Sequence, residues 1–589
     1  MQPFKIFLLL NKSSSPNFMK GSNKLIRVFK ANEIVINVIL IICYPLLFIS
    51  LGMDFTDCPW SLRMSNLPDD NFILYWLTAK IASIWYSLFT YSILSNRILS
   101  YIIFELIILL IFASFFYNKN KLQFSRYALV SVIIMMSTNS HTFGYDRLSL
   151  FLLTIILLSL IRFIQYNKSI YLVLAGFVSI LATLARFPNI VIIPILFGLI
   201  SIITITKLKN KPKSLKIRLL PLSMYWLIFC FSCLLTLSSF FLFVMSPQEF
   251  HVRIFDAIFS GANGLHHSIG NLWSNYIRDL LTIVKNIGVL VLLSVTFIVS
   301  IKYIKLKKWI ISSAIFLSYL FYLALTNNGN YNFDLSLNIT ALIFFIYFVL
   351  GYSFVQSKKY IHISMLLVFF VFMFIPAIGS DTGLLKIYYF ASIIIIYLLY
   401  FLSKENTVFR LQRNFIYILI LAVVAYSLYN RFNWFYGDSK NITELKYEIN
   451  HKKLHNIKTT IHRKELVEKV IDNIDVINTT NKKVYFFGHA GQMFYYLYDK
   501  QPLSKQFFYL KPDNKDAVNQ LKSTFIEEKT NPIIVVFYGF PNSPRWPQYL
   551  INNDRALKKE RNMSKYLISM LLNNNYKKVV SEDAFEIYK

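Results

Sequence analysis

Long apolar runs separated by short polar segments recur along the first 430 residues of the chain. A helix needs about 20 apolar residues to cross the hydrocarbon core of a bilayer, and fewer where it is short or enclosed by protein. The fold class predicted is therefore an α-helical polytopic membrane protein. The pattern predicts thirteen spans, at residues 34–51, 98–117, 127–140, 147–165, 170–186, 189–206, 219–245, 281–301, 309–326, 335–356, 361–378, 384–402 and 414–429.

Lysine and arginine are unevenly distributed between the loops. If the N-terminus is cytoplasmic, one set of loops holds basic clusters such as residues 207–218 and 302–308. The opposite loops before residue 430 carry mostly isolated bases. Cytoplasmic loops of membrane proteins are enriched in Lys and Arg. A miscounted helix would invert this pattern downstream of the error, so its regularity supports both the helix count and a cytoplasmic N-terminus.

Two changes in polarity divide the chain into three predicted parts. These are a basic cytoplasmic segment, a multi-spanning domain and an extracytoplasmic domain, at residues 1–33, 34–429 and 430–589. In the last part, residues 441–475 have the pattern of an amphipathic helix, and Val484–Phe487 and Ile533–Tyr538 have that of short strands. The alternation of helix and strand predicts a small α/β domain.

The composition excludes other classes of protein. Of the 589 residues 56% are hydrophobic and 15% are charged, against about a quarter charged in soluble domains. A soluble fold of this length would expose large apolar patches, and disordered chains have low hydrophobicity. The net charge of +31 lies mostly in loop clusters that orient a membrane protein, so the lipid bilayer is the expected partner and nucleic acid is not.

The four cysteines indicate neither a disulfide framework nor a metal site. Cys43, Cys230 and Cys233 lie in apolar runs, and Cys58 lies in a polar loop. Cys230 and Cys233 have the CxxC spacing but no second ligand pair. They are interpreted as small apolar residues on one face of a helix.

The first predicted outer loop begins with two carboxylates. Asp54 and Asp57 follow the first span directly, and Trp60 comes one turn later. Carboxylates at a membrane surface can act as a general base or bind a substrate or metal. An ordinary solvated helix end with an interfacial tryptophan has the same pattern, so both interpretations stay open. The next acids, Asp69 and Asp70, more readily cap the amphipathic stretch that follows.

The second long outer loop carries adjacent histidines, His266 and His267, among glycines and asparagines. Such a segment can bind phosphate or a metal, although its spacing matches no zinc pattern. A polar re-entrant loop would have the same composition. We keep both histidines as candidate substrate-binding residues and assign no metal ligand.

Further candidate substrate-binding residues lie in the short outer loops: Asp146, Arg186, Asp381 and Lys386. A cation near the interface can bind a lipid-linked phosphate, or it can extend its side chain to the lipid headgroups. The convergence of acids, amides, histidines and bases on one face favours a functional site. A transporter would instead place such groups near the middle of the membrane.

This pattern resembles the C-type membrane glycosyltransferases, the group of the protein mannosyltransferases and the lipid A aminoarabinose transferase. The resemblance rests on the first span, the acidic outer loop after it, the amphipathic segment, the many further spans and the outer α/β domain. Shorter segments resemble uncharacterised bacterial members from Gram-negative cells: 52–60, 143–148, 176–189, 379–383 and 484–488. The resemblance implies a periplasmic C-terminal domain and a place in the cell inner membrane.

The resemblance also implies an activity. Members transfer a sugar from a polyprenyl phosphate to a lipid, glycan or protein acceptor, and a first-loop Asp acts as base or orients the acceptor. Asp57 best matches that position, and Asp54 is the second choice. Cys58 stands where the family often has a second acid, which leaves a requirement for a divalent cation open.

Two other functions fit the same sequence. A polysaccharide polymerase or ligase also has many spans and prenyl-linked substrates, but typically depends on Arg and His in large outer loops, which keeps His266 and His267 relevant. A flippase or transporter would move such a substrate without covalent change. It would also be expected to show internal pseudo-symmetry, which the sequence does not display.

Overall fold

The computed structural model describes most of the chain. The described residues are 19–66, 73–115, 121–137, 142–208, 215–262, 269–304, 307–326, 333–380, 382–404, 410–435, 438, 441–478, 482–500, 515, 518–519, 521–523, 531–541, 543, 546–551 and 553–589.

The N-terminal part is mainly helical, and within the described residues all thirteen predicted spans fall on helices. The helices are α1 (Met19–Leu46), α2 (Asp57–Asn66), α3 (Trp76–Leu88), α4 (Ile93–Phe115), α5 (Lys121–Met136), α6 (Tyr145–Tyr166), α7 (Ile170–Ala185), α8 (Ile192–Leu208), α9 (Leu215–Phe243), α10 (Pro247–Ala262), α11 (Ile269–Lys302), α12 (Lys308–Thr326), α13 (Phe333–Gln356), α14 (Tyr360–Phe374), α15 (Ile387–Lys404) and α16 (Arg410–Asn433).

Ten helices in the described part are long and apolar enough to cross a membrane, by length and composition. Two shorter apolar helices, Asn32–Leu46 and Ile170–Ala185, accompany them. Large apolar side chains stay exposed on the bundle, for example Leu242 at 78% and Phe243 at 85%. In water such a surface would be unfavourable, whereas lipid chains can cover it. The prediction of a multi-spanning helical membrane protein is confirmed.

Small residues and local breaks determine how these helices pack. Asn167, at φ 56°, ends α6 in the left-handed conformation that asparagine tolerates. The chain then returns as α7, which packs against both α6 and α9. At the α7–α9 crossing a Cβ on Gly176 would lie 2.8 Å from the carbonyl oxygen of Phe229. The Cys233 thiol contacts the Gly176 carbonyl oxygen at 3.5 Å, so that cysteine packs as a small residue between helices.

The C-terminal part contains short helices and two sheets. The helices are α17 (Ile461–Ile477), α18 (Gly491–Leu497), α19 (Gln548–Ile551), α20 (Asp554–Met563) and α21 (Lys565–Asn573). The strands are β1 (Tyr447–Glu448), β2 (Lys458–Thr459), β3 (Val484–Phe487), β4 (Ile533–Phe537), β5 (Lys578–Ser581) and β6 (Phe585–Tyr588). β1 and β2 form an antiparallel pair, and the larger sheet has the order β3-β4-β6-β5.

The larger sheet confirms the predicted α/β domain. β3 and β4 are parallel, whereas β6 is antiparallel to both β4 and β5. All residues of β3, β4 and β6 are buried, which explains why β3 and β4 appear in the sequence as continuous apolar runs.

The amphipathic helix predicted in this part is confirmed only in its second half. Residues 441–475 were expected to be one amphipathic helix, but the α-helix begins only at Ile461. Two 3₁₀ turns precede the helix. In the first the Asn441 side chain accepts a hydrogen bond from Thr443 N, and in the second the His451 side chain accepts one from Lys453 N. Side chains that accept from the backbone two residues on favour turns over a continuous helix.

The C-terminal domain shares its apolar core with the first loop. Met53, Phe55, Cys58 and Leu62 belong to the same buried cluster as the strands of the larger sheet. The backbone of Lys458 also bonds to the loop, accepting from Gly52 N at 2.9 Å and donating to the Ser50 carbonyl oxygen at 2.8 Å. The first loop is therefore held between the helical bundle and the C-terminal domain.

Candidate functional site

Asp54 anchors the helix that carries Asp57. One of its carboxylate oxygens accepts hydrogen bonds from the backbone nitrogen and the hydroxyl of Thr56, both at 2.9 Å. The other accepts from Cys58 N at 2.9 Å. Asp54 is 3% exposed. It therefore satisfies the free N–H groups at the start of α2 and favourably opposes the positive end of the helix dipole.

Asn96 holds the other side of α2. Its side-chain oxygen accepts from Phe143 N at 2.8 Å, and its amide donates to the Tyr86 hydroxyl at 2.7 Å. The Ser61 hydroxyl donates to the Phe143 carbonyl oxygen at 2.5 Å. These bonds attach α2 and the start of α4 to the segment that leads into α6, so they position Asp57 relative to Asp146.

Cys58 packs beneath this network as an uncharged thiol. Its sulfur lies 3.8 Å from the Asn96 side-chain oxygen, and the residue is fully buried. Burial raises the pKa of the thiol to about 12. A carboxylate at this position would need a counter-charge. The thiol does not act here as the second acid that stands at this position in the resembled family.

Asp146, Arg186 and Lys386 meet at one end of the bundle. The Lys386 Nζ lies 2.9 Å and 3.1 Å from the two carboxylate oxygens of Asp146. The Arg186 Nε lies 4.0 Å from Asp146. The Asp146 side chain is 27% exposed, that of Lys386 11% and that of Arg186 3%. We call Asp57, Asp146, Arg186 and Lys386 the acidic–basic cluster.

Asp57 shares the electrostatic environment of Asp146 and Lys386. The Tyr389 side chain lies within electrostatic reach of Asp57, Asp146, Lys386 and Arg147. Asp57 itself is half-buried at the first position of α2. Opposite charges grouped at a partly accessible site, beside buried cations, can bind a polar substrate and accept a proton from it.

Aromatic rings line the cluster. Tyr75 and Tyr145 stack with ring centroids 4.3 Å apart, and Trp60 approaches both edge-on at 6.0 Å and 6.2 Å. The Lys386 Nζ lies 4.9 Å from the Tyr145 ring centroid. Burial raises the pKa of Tyr75 above its ordinary value, so its hydroxyl stays protonated. Flat rings beside charged groups are suited to a sugar face and to a cation.

The loops that carry Arg186 and Lys386 brace each other. Arg186 donates from Nη2 to the Ile378 carbonyl oxygen at 2.9 Å. Asp279 accepts from Leu384 N at 2.9 Å, at the turn just before Lys386. A Cβ on Gly383, which has φ +64°, would lie 2.4 Å from that Asp279 carboxylate. Arg186 thus positions the loop, while Lys386 presents its ammonium to Asp146.

A second, fully enclosed ion pair fastens the C-terminal domain to the first loop. The Arg463 Nε lies 3.2 Å from an Asp438 carboxylate oxygen, and both side chains are 0% exposed. Asp438 accepts from Met53 N at 2.6 Å and from the Thr459 hydroxyl at 2.5 Å. Arg463 Nη2 donates to the Pro541 carbonyl oxygen at 2.7 Å. We call Asp438 and Arg463 the interdomain pair.

The structure brings together three of the eight site residues proposed from sequence, Asp146, Arg186 and Lys386, and Asp57 lies within electrostatic reach of the same tyrosine, Tyr389, as Asp146 and Lys386. Asp54 lies beside them as an enclosed capping residue. His266, His267 and Asp381 lie outside the described residues, as do Asp69 and Asp70. Those site assignments stay predictions.

Two sets of residues that shape the site were not predicted from the sequence. Asn96 was placed in a loop before the second span, but α4 begins at Ile93 and includes it. Tyr75 and Tyr145 were treated as parts of an amphipathic stretch and a short loop. Their clustering could not be inferred from a chain in which aromatic residues make up 17%.

No grouping of three or more His, Cys, Asp or Glu side chains suited to a metal ion occurs among the residues that the structure describes. The Asp146 carboxylate is neutralised by the Lys386 ammonium. The described residues therefore provide no ligand set for the divalent cation whose requirement the sequence left open.

Comparisons with known proteins give a distant structural likeness. Neither a protein-family model nor a curated protein sequence matches this chain. ArnT from Cupriavidus metallidurans in the apo state is similar at 10% identity and a TM-score of 0.38, covering 94% of this chain and 97% of ArnT. The same protein bound to undecaprenyl phosphate gives 9% identity and a TM-score of 0.35 with the same coverage. At TM-scores below 0.5 the likeness assigns no activity to this chain.

Proposed function

We propose that this protein is an integral-membrane glycosyltransferase that moves a sugar from a polyprenyl-phosphate donor to a hydroxyl group of a lipid, glycan or protein. The observation that carries the proposal is the acidic–basic cluster, in which the Asp146–Lys386 ion pair and Asp57 lie within electrostatic reach of the same side chain, Tyr389. The class of donor comes from the sequence resemblance. The apolar surface of the bundle supports it, because a prenyl chain can lie against that surface.

In this proposal Asp57 is the general base. It accepts the proton of the acceptor hydroxyl while the acceptor oxygen bonds to the anomeric carbon. The bond between that carbon and the phosphate oxygen breaks, and polyprenyl phosphate leaves with the electron pair. The phosphate is already anionic, so its departure needs little proton donation. Asp54 supports the base by holding the start of α2, since its own oxygens already accept several hydrogen bonds.

Lys386 is the proposed partner of the leaving phosphate. Its ammonium has three N–H donors; it bonds to both oxygens of Asp146 and, at 3.4 Å, to the Tyr145 hydroxyl, and an incoming anion can replace this longest bond. A fixed cation near the developing charge stabilises the transition state more than the ground state. Arg186, held by the Ile378 carbonyl oxygen, keeps this loop in place and adds positive potential.

The aromatic group beside the cluster is the proposed platform for the donor sugar. The ring of Tyr145 faces Lys386 on one side and stacks on Tyr75. A sugar stacked against these rings would have its anomeric carbon near the cluster. Holding both reactants in such an orientation contributes to the rate by lowering the entropic cost of reaction.

The proposal is tested by label transfer in nanodiscs, with radiolabelled undecaprenyl-phosphate sugars and a membrane-derived acceptor pool. We expect Asp57→Asn to lower transfer by about 10²–10⁴-fold, with little change in thermal stability. Asp554→Asn is the matched control, because Asp554 is also the first residue of a ten-residue helix but lies exposed, away from the cluster.

Two results would contradict the proposal. Transfer that persists in Asp57→Asn would exclude this carboxylate as the base. In sealed proteoliposomes, passage of the labelled lipid-linked sugar across the bilayer without a covalent product would indicate transport instead.

A further inference from the structure

Arg63 is a buried cation whose outer nitrogens lack a hydrogen-bond partner among the residues that the structure describes. It lies on α2, six residues after Asp57, and is 5% exposed. Its Nη1 and Nη2 atoms are both buried and bond to no group within the described chain. Buried polar groups are nearly always hydrogen-bonded, and an unpaired buried charge is strongly unfavourable. An unsatisfied guanidinium is therefore the mark of a site that lacks its ligand.

The guanidinium faces a small cleft between α2 and the C-terminal domain. The lining residues are Arg63, Asn66, Tyr91, Tyr495, Tyr496, Asp499 and Lys500. The Arg63 Cζ lies 5.7 Å from the centroid of the Tyr495 ring, and the rings of Tyr91 and Tyr496 meet edge-on at 5.3 Å. Asn66 and Asp499 are exposed at the cleft's mouth, so the cleft can be reached from solvent.

The carboxylate in the cleft is already engaged elsewhere. Asp499 lies 2.6 Å from the Nζ of Lys453. That ammonium also donates to the carbonyl oxygens of Tyr496 at 2.6 Å and Leu497 at 3.2 Å. Asp499 therefore neutralises Lys453, and among the described residues that line the cleft no second carboxylate faces Arg63 and Lys500.

Arg63 keeps its charge despite its burial. Burial lowers the pKa of its guanidinium to about 10, while Tyr495 and Tyr91 act in the opposite direction. The group is therefore cationic at neutral pH. A guanidinium presents two parallel N–H donors that match the two oxygens of a carboxylate or phosphate.

We infer that this cleft binds an anionic group, with two oxygens of a carboxylate or phosphate on Arg63. Carboxylate and phosphate share the fork geometry that Arg63 offers, and the narrow cleft can admit such a group while the rest of its ligand stays at the mouth beside Asn66 and Lys500. Arg63 does not belong to the acidic–basic cluster, so the inference stands whether or not Asp57 is a catalytic residue.

The test is direct binding to the purified full-length chain in nanodiscs, measured by titration calorimetry at low salt. Glucose 6-phosphate and glucuronate represent the two anions, and glucose is the neutral control. We expect one or both anionic sugars to bind at least about tenfold more tightly than glucose. The probe that binds more tightly shows whether the cleft prefers a phosphate or a carboxylate.

Variants connect the binding to the guanidinium. Arg63→Met should abolish the preference for the anionic sugars, and its Tm should equal or exceed that of the wild type, because an unpaired buried charge is removed. Lys500→Met, at a half-buried position, should weaken the preference by a few-fold. Arg555→Met, at an exposed arginine of the same domain, should leave binding unchanged.

Three results would overturn the inference. The first is wild-type binding of both anionic sugars no tighter than binding of glucose. The second is a preference that survives in both Arg63→Met and Lys500→Met. The third is an equal loss of preference in Arg555→Met, which would mean that general surface charge attracts the anions.

Discussion

The acidic–basic cluster and the interdomain pair use the same chemistry with different consequences. Both place a carboxylate against a cation, Asp146 with Lys386 at 2.9 Å and Asp438 with Arg463 at 3.2 Å. The first pair is partly accessible, with side chains 27% and 11% exposed, whereas the second is 0% exposed. Its complete enclosure keeps the interdomain pair out of reach of a ligand. The cluster remains accessible to one.

This difference separates structural charges from chemical ones. A fully buried pair that also bonds to backbone groups specifies how two parts of a fold meet. A partly exposed pair can exchange its partners for those of a substrate. Structural and chemically active charges cannot be distinguished by residue type. Substitutions in the interdomain pair and in the acidic–basic cluster can distinguish them.

The largest stability effect should come from the interdomain pair. Arg463→Met leaves the Asp438 charge buried and unpaired, which should cost about 3–5 kcal/mol and lower the Tm. Thermal unfolding of the purified protein measures the change. Lys469→Met is the matched control, because Lys469 pairs with Glu582 at the surface, with side chains 57% and 41% exposed. A surface pair contributes about 0–1 kcal/mol. Equal losses of Tm in Arg463→Met and Lys469→Met would show that the interdomain pair stabilises the fold no more than a surface pair does.

The acidic–basic cluster should respond in activity and not in stability. Lys386→Met should lower glycosyl transfer by about 10²–10³-fold, because a cation near the leaving phosphate is lost. Lys386→Arg keeps the charge and should recover part of the rate. Transfer rates and Tm of the two variants are measured together. A large fall in Tm with an unchanged rate would place Lys386 with the structural charges.

Asp54 should behave like the interdomain pair although it lies three residues from Asp57. Asp54→Ala removes the acceptor for the first N–H groups of α2, and such a cap contributes about 0.5–2 kcal/mol. We expect a lower Tm for Asp54→Ala and an unchanged Tm for Asp57→Asn. A lower Tm for Asp57→Asn than for Asp54→Ala would contradict the assignment of Asp54 as the helix cap and of Asp57 as the base.

The smallest effect should be a pH dependence within the C-terminal domain. Burial would raise the pKa of Glu586, but bonds from Tyr588, Lys578 and Tyr538 outweigh it and hold that pKa below its ordinary value. A carboxylate with a depressed folded pKa stabilises the fold above its unfolded pKa, and this stabilisation is lost as the pH falls through the folded pKa.

We therefore expect the wild type to lose more Tm than Glu586→Gln when the pH falls from neutral to below about 4. Thermal scans of both proteins at several pH values measure this. Parallel losses in the two proteins would show that Glu586 does not contribute to the acid sensitivity.

Much of the fold follows from local sequence pattern. Each predicted span falls on a helix, and β3 occupies Val484–Phe487 as predicted, because apolar runs of these lengths report element type directly. Errors arose where side chains bond to nearby backbone, as at Asn441 and His451. β5 and β6 were not predicted, since the alternating polarity of β5 is weak and the charged Glu586 lies buried in β6.

The candidate site was only partly predictable. Asp57, Asp146, Arg186 and Lys386 were identified because charges are scarce next to membrane spans. Their separate roles were not, since Asp54 and Asp57 are indistinguishable by residue type and neighbourhood. Arg63 is one of the isolated bases of the outer loops, and no local pattern reveals that its guanidinium is enclosed without a hydrogen-bond partner among the described residues.

The sequence by itself therefore determined the membrane-spanning class, the helix positions and the face on which polar groups collect. These follow from the length of apolar runs and the placement of charge, which act locally. Only the tertiary structure decided which charges are enclosed and which stay available. Met53 bonds to Asp438 across 385 positions, and Arg63 meets a cleft built by a distant helix. Burial and hydrogen-bond saturation arise from such contacts, so they appear only once the chain is folded.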